Sequence, residues 1–315
     1  YVLANDNQSL EQYLNPTQSL SIEDLIETEQ LQLNGILVKK LLNLGVNPNG
    51  VGFDKENELS YHWSNFYNFE IGSIADRNTI RNRIHNNNFE IRDGFVSDVK
   101  DSLFATIFQN SFGIYTDVNS ESAGIGYLSL KQEVTNEYYI ALKNLLPSVL
   151  LLDDVLNAFV RIMGDNYRYS NPDFFGSSTA YDNYLSLPAK FRAPFEALEE
   201  AYSIEILELG NNVINYLNHV FGNQRFEIAP NALNFKSAKS DSKYFQCNNC
   251  QKIHLHRGFG LCTNTQCLLE LPFTGSGTAQ ELRERNFISF DILQEPRTPI
   301  RLRTAELTGQ TDNQA

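Results

Sequence analysis

The first 235 residues are dominated by apolar residues that recur every three or four positions, the spacing of amphipathic helices. One such run follows a candidate N-cap at Ser21 and ends before Gly45 and Pro48, which are typical helix-terminating residues. The pattern predicts helices over 22–44, 77–84, 95–108, 137–163 and 194–220. The segment between the last two, 165–187, is rich in Tyr, Asn, Ser and Gly, which predicts a loop.

Two prolines affect where these predicted helices begin and end. The run over 137–163 is one long helix or two helices divided at Pro147, because proline removes an amide donor and clashes with the preceding turn. Pro194 fits the first turn of the last predicted helix. After Tyr244 the chain changes to short segments between turns, and 287–293 and 300–304 alternate apolar and polar residues as strands do.

All four cysteines of the chain fall within 21 residues of this C-terminal part. Cys247 and Cys250 are spaced CxxC, Cys262 and Cys267 are spaced CxxxxC, and eleven residues separate the pairs. Reduced cysteine packing, or a redox CxxC pair that leaves the other two idle, are the alternatives. Four thiolates satisfy tetrahedral Zn²⁺ and leave no position for water, so the favoured interpretation is one structural zinc ion in a zinc ribbon.

The fold class predicted from these patterns is α+β, with a predominantly α-helical N-terminal two-thirds, a C-terminal four-cysteine zinc ribbon and short β-strands. Four regions follow from the changes in pattern. They are a helical region over 1–135, a second helical region over 136–235, the zinc ribbon over 236–280 and a strand segment over 281–315.

Composition limits the function classes. The 315 residues are 42% hydrophobic, enough for a sizeable core, and four cysteines are too few for a disulfide scaffold. The net charge is −13, and it is uneven: residues 236–315 hold ten Lys/Arg against eight Asp/Glu, which leaves 15 against 30 before them. This acidity argues against a general basic nucleic-acid binder.

The longest apolar run, near 145–160, is interrupted by Pro147, Asp153 and Asp154, so we expect a cytoplasmic protein with no membrane partner.

Motifs of common enzymes are absent from the sequence. It contains no GxxxxGK[ST], HExxH, GxSxG or GxGxxG, and no spacing singles out a catalytic triad. Leu150–Asp154 (LLLDD) imitates the acidic strand of NTPases, but it lies inside a helical pattern. No catalytic or cofactor-binding residue is therefore predicted.

His254 and His256 are open to three interpretations: replacing a cysteine ligand, touching a phosphate, or lying in solvent. Arg257 and Lys252 give the ribbon a basic edge.

Several stretches together resemble the central part of large prokaryotic superfamily 2 helicases, the type found in antiphage defence systems such as Druantia and DISARM. The ribbon CNNCQKIHLH…GLCTNTQC is similar to their C-x-x-C-x-x-x-H-L-H…G-x-C-T-x-x-x-C segment, although its second pair is wider than their usual CxxC. The stretch from Gly35 to Gly50 and the Ser122–Tyr127 segment (SAGIGY) resemble two further stretches of these proteins. The tail RLRTAELTGQTD resembles the segment that leads into their second RecA-like lobe.

The resemblance implies that the chain is an accessory region of an ATP-dependent DNA helicase or translocase. ATP and Mg²⁺ would bind motor lobes outside this segment, and DNA and defence-system subunits would be the partners. Thr308, Gln310 and Thr311 would border a nucleic-acid channel, with Arg257 as a further contact; a plain β-turn at Gly309 is the alternative for the tail. The alternative function is an acidic helical protein-interaction scaffold that uses zinc only to hold its fold.

Overall fold

The computed structural model describes residues 20–21, 65–68, 73–91, 107–109, 111–112, 119–131, 135–169, 179–229, 232–286 and 289. Among these residues a helix-rich mixture of α-helices and short antiparallel strands confirms the predicted α+β class. The helices are α1 (Arg77–Ile84), α2 (Glu137–Leu145), α3 (Leu152–Asp165), α4 (Ala189–Tyr202), α5 (Ile206–Phe221) and α6 (Ala279–Arg285), with a 3-10 turn at Tyr184–Ser186.

The strands of the described residues form three small antiparallel sheets. They are β1 (Leu20–Ser21), β2 (Tyr67–Asn68), β3 (Ser73–Ile74), β4 (Gly126–Leu130), β5 (Leu233–Ser237), β6 (Lys243–Gln246), β7 (Ile253–His254) and β8 (Gly277–Thr278). In the first sheet β5 lies between β1 and β4, with Phe235 opposite both Leu20 and Leu128. β2 pairs with β3, and β6 lies between β7 and β8. The strands of this last sheet lie within 243–278, the segment that contains all four cysteines and is called the cysteine region below.

Helix α1 has the bounds that the apolar spacing predicts, because local signals start and stop it. The Asp76 carboxylate accepts hydrogen bonds from the amides of Asn78 and Thr79, both at 3.0 Å. His85 ends the helix in the left-handed conformation.

The run over 137–163 forms two helices, which confirms one of the two alternatives predicted for it. Helix α2 ends before Pro147 and α3 starts after it. Asp153 and Asp154 lie in the first turn of α3, which confirms the helical interpretation of LLLDD.

The helix predicted over 194–220 is wrong in two respects. The structure has two helices, divided where Ser203 adopts the left-handed conformation and Glu205 caps the next helix. Pro194 is not in the first turn, because α4 already begins at Ala189, directly after Pro188. Apolar periodicity continues through the break, so the pattern alone does not reveal it.

Helix α3 is the centre of the hydrophobic core. All its residues from Val155 to Gly164 are buried, including the polar Asn157 and Arg161. Asn157 accepts a hydrogen bond from the Leu130 amide at 2.9 Å, which fixes the end of β4 to the helix. The Phe159 ring stacks on Phe195 of α4 with centroids 4.4 Å apart. A helix buried on every side is expected at the centre of a core rather than on its surface.

The core extends across the predicted boundary near residue 236. Phe259 and Leu261, from the cysteine region, belong to the same buried cluster as α3, α4 and α5. β5 itself spans Leu233–Ser237. The four predicted regions stay predictions, but the cysteine region packs directly on the helices among the described residues.

Several predictions fall on other parts of the chain. Ser21 lies in β1, and the helix predicted after it lies outside the described residues. Of the helix predicted over 95–108, residues 107 and 108 are described and are helical. Ser289 is helical where a strand is predicted over 287–293; its amide hydrogen bonds the Asn286 side chain at 3.1 Å. The strand predicted over 300–304 lies outside the described residues.

Candidate metal centre

Two backbone loops present the four cysteines. The first follows β6: the Cys247 amide donates to the Lys252 carbonyl at 2.9 Å, and Gln251 turns the chain with a φ of 61°. The second is closed by the Cys262 amide, which donates to the Leu269 carbonyl at 2.8 Å. β7, which follows the first loop, pairs with β6. The eleven residues between the cysteine pairs thus return the chain so that the second loop faces the first.

The four thiols converge on one point. Their sulfur atoms all lie within 4.8 Å of one another. The Sγ atoms of Cys247 and Cys267 are 3.5 Å apart, and those of Cys250 and Cys262 are 3.4 Å apart. Sulfur ligands at the usual zinc distance sit about 3.8 Å from one another at tetrahedral corners. The cluster therefore has the donor atoms and the approximate size for one tetrahedral metal ion, as the cysteine spacing predicts.

Two of the four cysteines are completely buried and the other two are partly exposed. Cys247 and Cys262 are completely buried and contact the buried Leu271, whereas Cys250 and Cys267 are half-buried. All four cysteines are free thiols rather than disulfides. The Asn264 amide and the Asn249 side chain point at Cys262 and Cys267, at 3.5 and 3.4 Å. Such N–H groups stabilise thiolates, the form that binds metal.

The thiols differ in acidity because they differ in surroundings. Burial raises the pKa of the Cys247 and Cys262 thiols. Burial acts in the same direction at Cys267, but hydrogen bonds from Asn249 and from the Leu269 amide outweigh it and lower the pKa of Cys267 to about 7. A cation would be needed to hold the two buried thiols as thiolates at neutral pH, so metal binding at this cluster releases protons.

A buried polar network joins the cysteine region to the helices. Arg161 of α3 forms an ion pair with Glu121 and a hydrogen bond with Nδ1 of His254. The carboxylate of Glu121 also accepts a hydrogen bond from the Leu255 amide at 2.7 Å. Arg161, Glu121 and His254 are all almost completely buried. Because buried charges need partners, this network fixes β7 against α3.

His254 lies in this network and His256 does not, and neither histidine is among the candidate metal ligands. The cysteine cluster is the group of candidate ligands found among the described residues, and it contains neither histidine. Both are buried, so the interpretation that they lie in solvent is wrong. The His256 ring packs on Tyr127 at 4.6 Å. Burial, and then the charge of Arg161, lowers the pKa of both histidines well below the ordinary value, so both are neutral at pH 7.

The predicted nucleic-acid contacts are only partly described. Thr308, Gln310 and Thr311 lie outside the described residues. Arg257 is 3.8 Å from Glu270, and its guanidinium lies over the Phe273 ring at 4.8 Å from the centroid. Lys252, the other residue of the predicted basic edge, forms an ion pair with Asp165 of α3.

Sequence reasoning missed Glu121, Arg161 and Phe273. Arg161 carried a signal, because it is the one basic residue in an otherwise apolar and acidic helical run over 152–165. A charge on the apolar face of a helix indicates a buried partner. Glu121 and Phe273 carried no comparable signal, because each lies in an irregular segment without periodicity.

None of the described helices is both long and apolar enough to cross a membrane. No protein-family model matches the chain, and searches of curated proteins and of solved structures give no match either.

Proposed function

We propose that Cys247, Cys250, Cys262 and Cys267 bind one structural Zn²⁺, and that the region they organise is a nucleic-acid-contacting accessory part of an ATP-dependent DNA helicase or translocase of the antiphage-defence kind. The convergence of the four sulfur atoms within 4.8 Å carries the metal part. The donor set consists of soft sulfur ligands alone, which favours zinc over magnesium or calcium. The role of the metal is structural because four cysteines complete its tetrahedral coordination.

Charge supports the nucleic-acid part. Residues 232–286 hold seven Lys/Arg against four Asp/Glu, in a chain whose net charge is −13. A local excess of positive charge attracts phosphates, while the acidic remainder repels them. The helicase assignment has the support of the residues that resemble that family, above all the ribbon and the RLRTAELTGQTD tail.

Metal analysis of the purified chain tests the first part. We expect about one zinc per chain by mass spectrometry and no visible absorption, since iron in a four-cysteine site is coloured and zinc is not. Cys267→Ser should lose most of the metal. Gln266→Ser changes the exposed neighbouring residue and should keep it. A folded chain that contains no metal would refute the zinc proposal. One iron per chain would show that the site binds iron and not zinc.

DNA binding tests the second part. The zinc-loaded chain should bind labelled DNA at low salt, and its affinity should fall as salt rises, because phosphate contacts release counterions. The chain alone should not hydrolyse ATP, whereas the complete gene product should do so in the presence of DNA. Absence of DNA binding at low salt would refute the contact, and a complete gene product without DNA-dependent ATP hydrolysis would refute the motor role.

A second candidate function is the acidic helical scaffold. It is favoured by 30 Asp/Glu against 15 Lys/Arg in the first 235 residues, and by two exposed apolar side chains in the α2–α3 connection, Val149 and Leu151. Exposed apolar residues close together are typical of protein contacts. A chain that contains zinc but binds no DNA at low salt would favour this function.

A further inference from the structure

Phe273 is the most exposed large apolar side chain of the described residues, with 75% of its surface in solvent. It lies in a short loop whose ends are fixed. The Leu271 amide donates to the Gly260 carbonyl at 2.9 Å, and the Ser276 amide donates to the Tyr244 carbonyl at 2.7 Å. The other Phe and Tyr residues whose burial the structure describes are buried or half-buried. Because both ends of the loop are hydrogen-bonded, the exposed ring is available to contact a ligand.

The Arg257 side chain supports this ring. Its guanidinium carbon is 4.8 Å from the Phe273 centroid, a cation–π distance. Arg257 is held in turn by Glu270, and its side chain is only 19% exposed. Its Nε is buried without a hydrogen-bond partner among the described residues. Arginine therefore fixes the ring from one side while most of the Phe273 side chain stays accessible.

An exposed basic side chain lies beside the loop that holds the ring. Lys243 is exposed on β6, next to the loop: its Cβ would be 3.3 Å from a Cβ added to Gly275. Residues 232–286, which include this loop, hold seven Lys/Arg against four Asp/Glu. An apolar protein partner would not need this charge. An aromatic ring beside basic side chains is the arrangement that binds unpaired nucleic-acid bases, with the ring stacking on a base and the basic residues contacting phosphates.

We propose that Phe273 is a stacking platform for an unpaired base of single-stranded nucleic acid, with Arg257 holding the ring and Lys243 contacting a neighbouring phosphate. The proposal rests on the proposed function and names the form of nucleic acid that the ribbon binds. A single strand is required because the faces of bases in a duplex are covered by their neighbours. The contact is insensitive to sequence, because every base has a face to stack.

Fluorescence anisotropy with a 12-nucleotide oligo-dT and the zinc-loaded chain tests the proposal. Phe273→Leu removes the ring but keeps an apolar side chain, and it should weaken binding about tenfold. Phe273→Trp should bind at least as tightly as the unaltered chain. Leu185→Ala changes a side chain that is 72% exposed on the 3-10 turn, and it should bind unchanged. Because Phe273 and Leu185 are exposed, these variants should keep the fold.

An abasic oligomer of the same length separates stacking from phosphate contact. It should bind the unaltered chain about as weakly as oligo-dT binds Phe273→Leu, and it should not distinguish the two proteins. Lys243→Ala should lower the slope of log affinity against log salt by about one.

The outcomes separate this inference from the proposed function. If oligo-dT binds in a salt-dependent manner but Phe273→Leu binds equally well, stacking is refuted and the nucleic-acid contact stands. Equal affinity for the abasic oligomer, or tighter binding of a 12-base-pair duplex, refutes the single-strand platform in the same way. If no nucleic acid binds at low salt, both the inference and the proposed nucleic-acid contact are wrong.

Discussion

Arg161 and Glu121 form an ion pair in which both side chains are almost completely buried, 4% and 6% exposed. Arg161 belongs to helix α3, at the centre of the core. Glu121 accepts a hydrogen bond from the amide of Leu255, the residue directly after β7. The pair therefore lies where the cysteine region meets the helices. A buried charge without its partner is costly, so this contact makes the two parts depend on each other.

The ion pair gives the first prediction. Arg161→Met and Glu121→Gln should each lower the free energy of unfolding by about 3–5 kcal/mol, because each leaves a buried polar or charged group unpaired. The double variant should lose less than the sum of the two, as measured by urea unfolding in a double-mutant cycle.

The ion pair of Arg257 with the exposed Glu270 is the control. Glu270 is 80% exposed, so Glu270→Gln should change stability by less than about 1 kcal/mol. Additive effects of the Arg161 and Glu121 substitutions would contradict a direct energetic coupling between these residues.

Metal removal should loosen the helical core as well as the ribbon. Phe259 is completely buried, and its ring centroid is 5.6 Å from that of Phe159 on α3. The Tyr202 hydroxyl of α4 also donates to the Phe259 carbonyl at 3.1 Å. A strong zinc chelator should therefore lower the thermal midpoint by at least about 5 °C and speed amide hydrogen exchange in α3.

The control for metal removal is Cys267→Ser, which should already show the fast exchange and respond little to the chelator. Exchange in α3 that stays unchanged when the metal leaves would contradict the coupling and would make the ribbon an independent unit.

Stability should fall with acid because of the buried histidines. His254 and His256 have lowered pKa values in the folded chain, so below about pH 6.5 the unfolded chain binds more protons than the folded one. Stability is therefore complete above that pH and is lost as the pH falls below it, by up to about 1.4 kcal/mol per pH unit for each histidine. His256→Phe keeps a ring against Tyr127 and should make the loss between pH 6.5 and 5 shallower.

His219 is exposed on α5, and His219→Gln is the control substitution of a histidine outside the core. Zinc content has to be followed at each pH, because protons also compete with the metal for the thiols. A profile of His256→Phe that runs parallel to that of the unaltered chain at constant metal content would refute this origin of the acid sensitivity.

Gly258 tests the packing of the ribbon on α3. Its φ is +60°, and an added Cβ would lie 2.9 Å from the Cβ of Ala158 on that helix. Gly258→Ala should therefore combine the strain of the left-handed conformation, about 1–2 kcal/mol, with an overpacking cost of about 1–3 kcal/mol.

Gly222 is the matched control, since it has a φ of +64° and nothing within 4 Å of an added Cβ. Gly222→Ala should show only the conformational cost. Equal losses of unfolding free energy for the two variants would mean that the loop yields freely and that the contact with α3 contributes nothing.

The sequence by itself determined the elements whose cause is local. The apolar spacing of α1 and the two close cysteine pairs within 21 residues are properties of short segments. Pro147 made the division of 137–163 one of two interpretations, and α2 and α3 decided between them. The cysteine spacing is informative because two close pairs can reach one ion only in a few arrangements.

Only the tertiary structure decided what depends on distant residues. The break between α4 and α5 leaves the apolar period intact, so no local pattern reveals it. The burial of His254 depends on Arg161, 93 positions away, and that of Arg161 depends on Glu121. Burial and pairing arise from which surfaces meet when the chain folds, and the free energy that fixes them is shared among segments that sequence patterns describe one at a time.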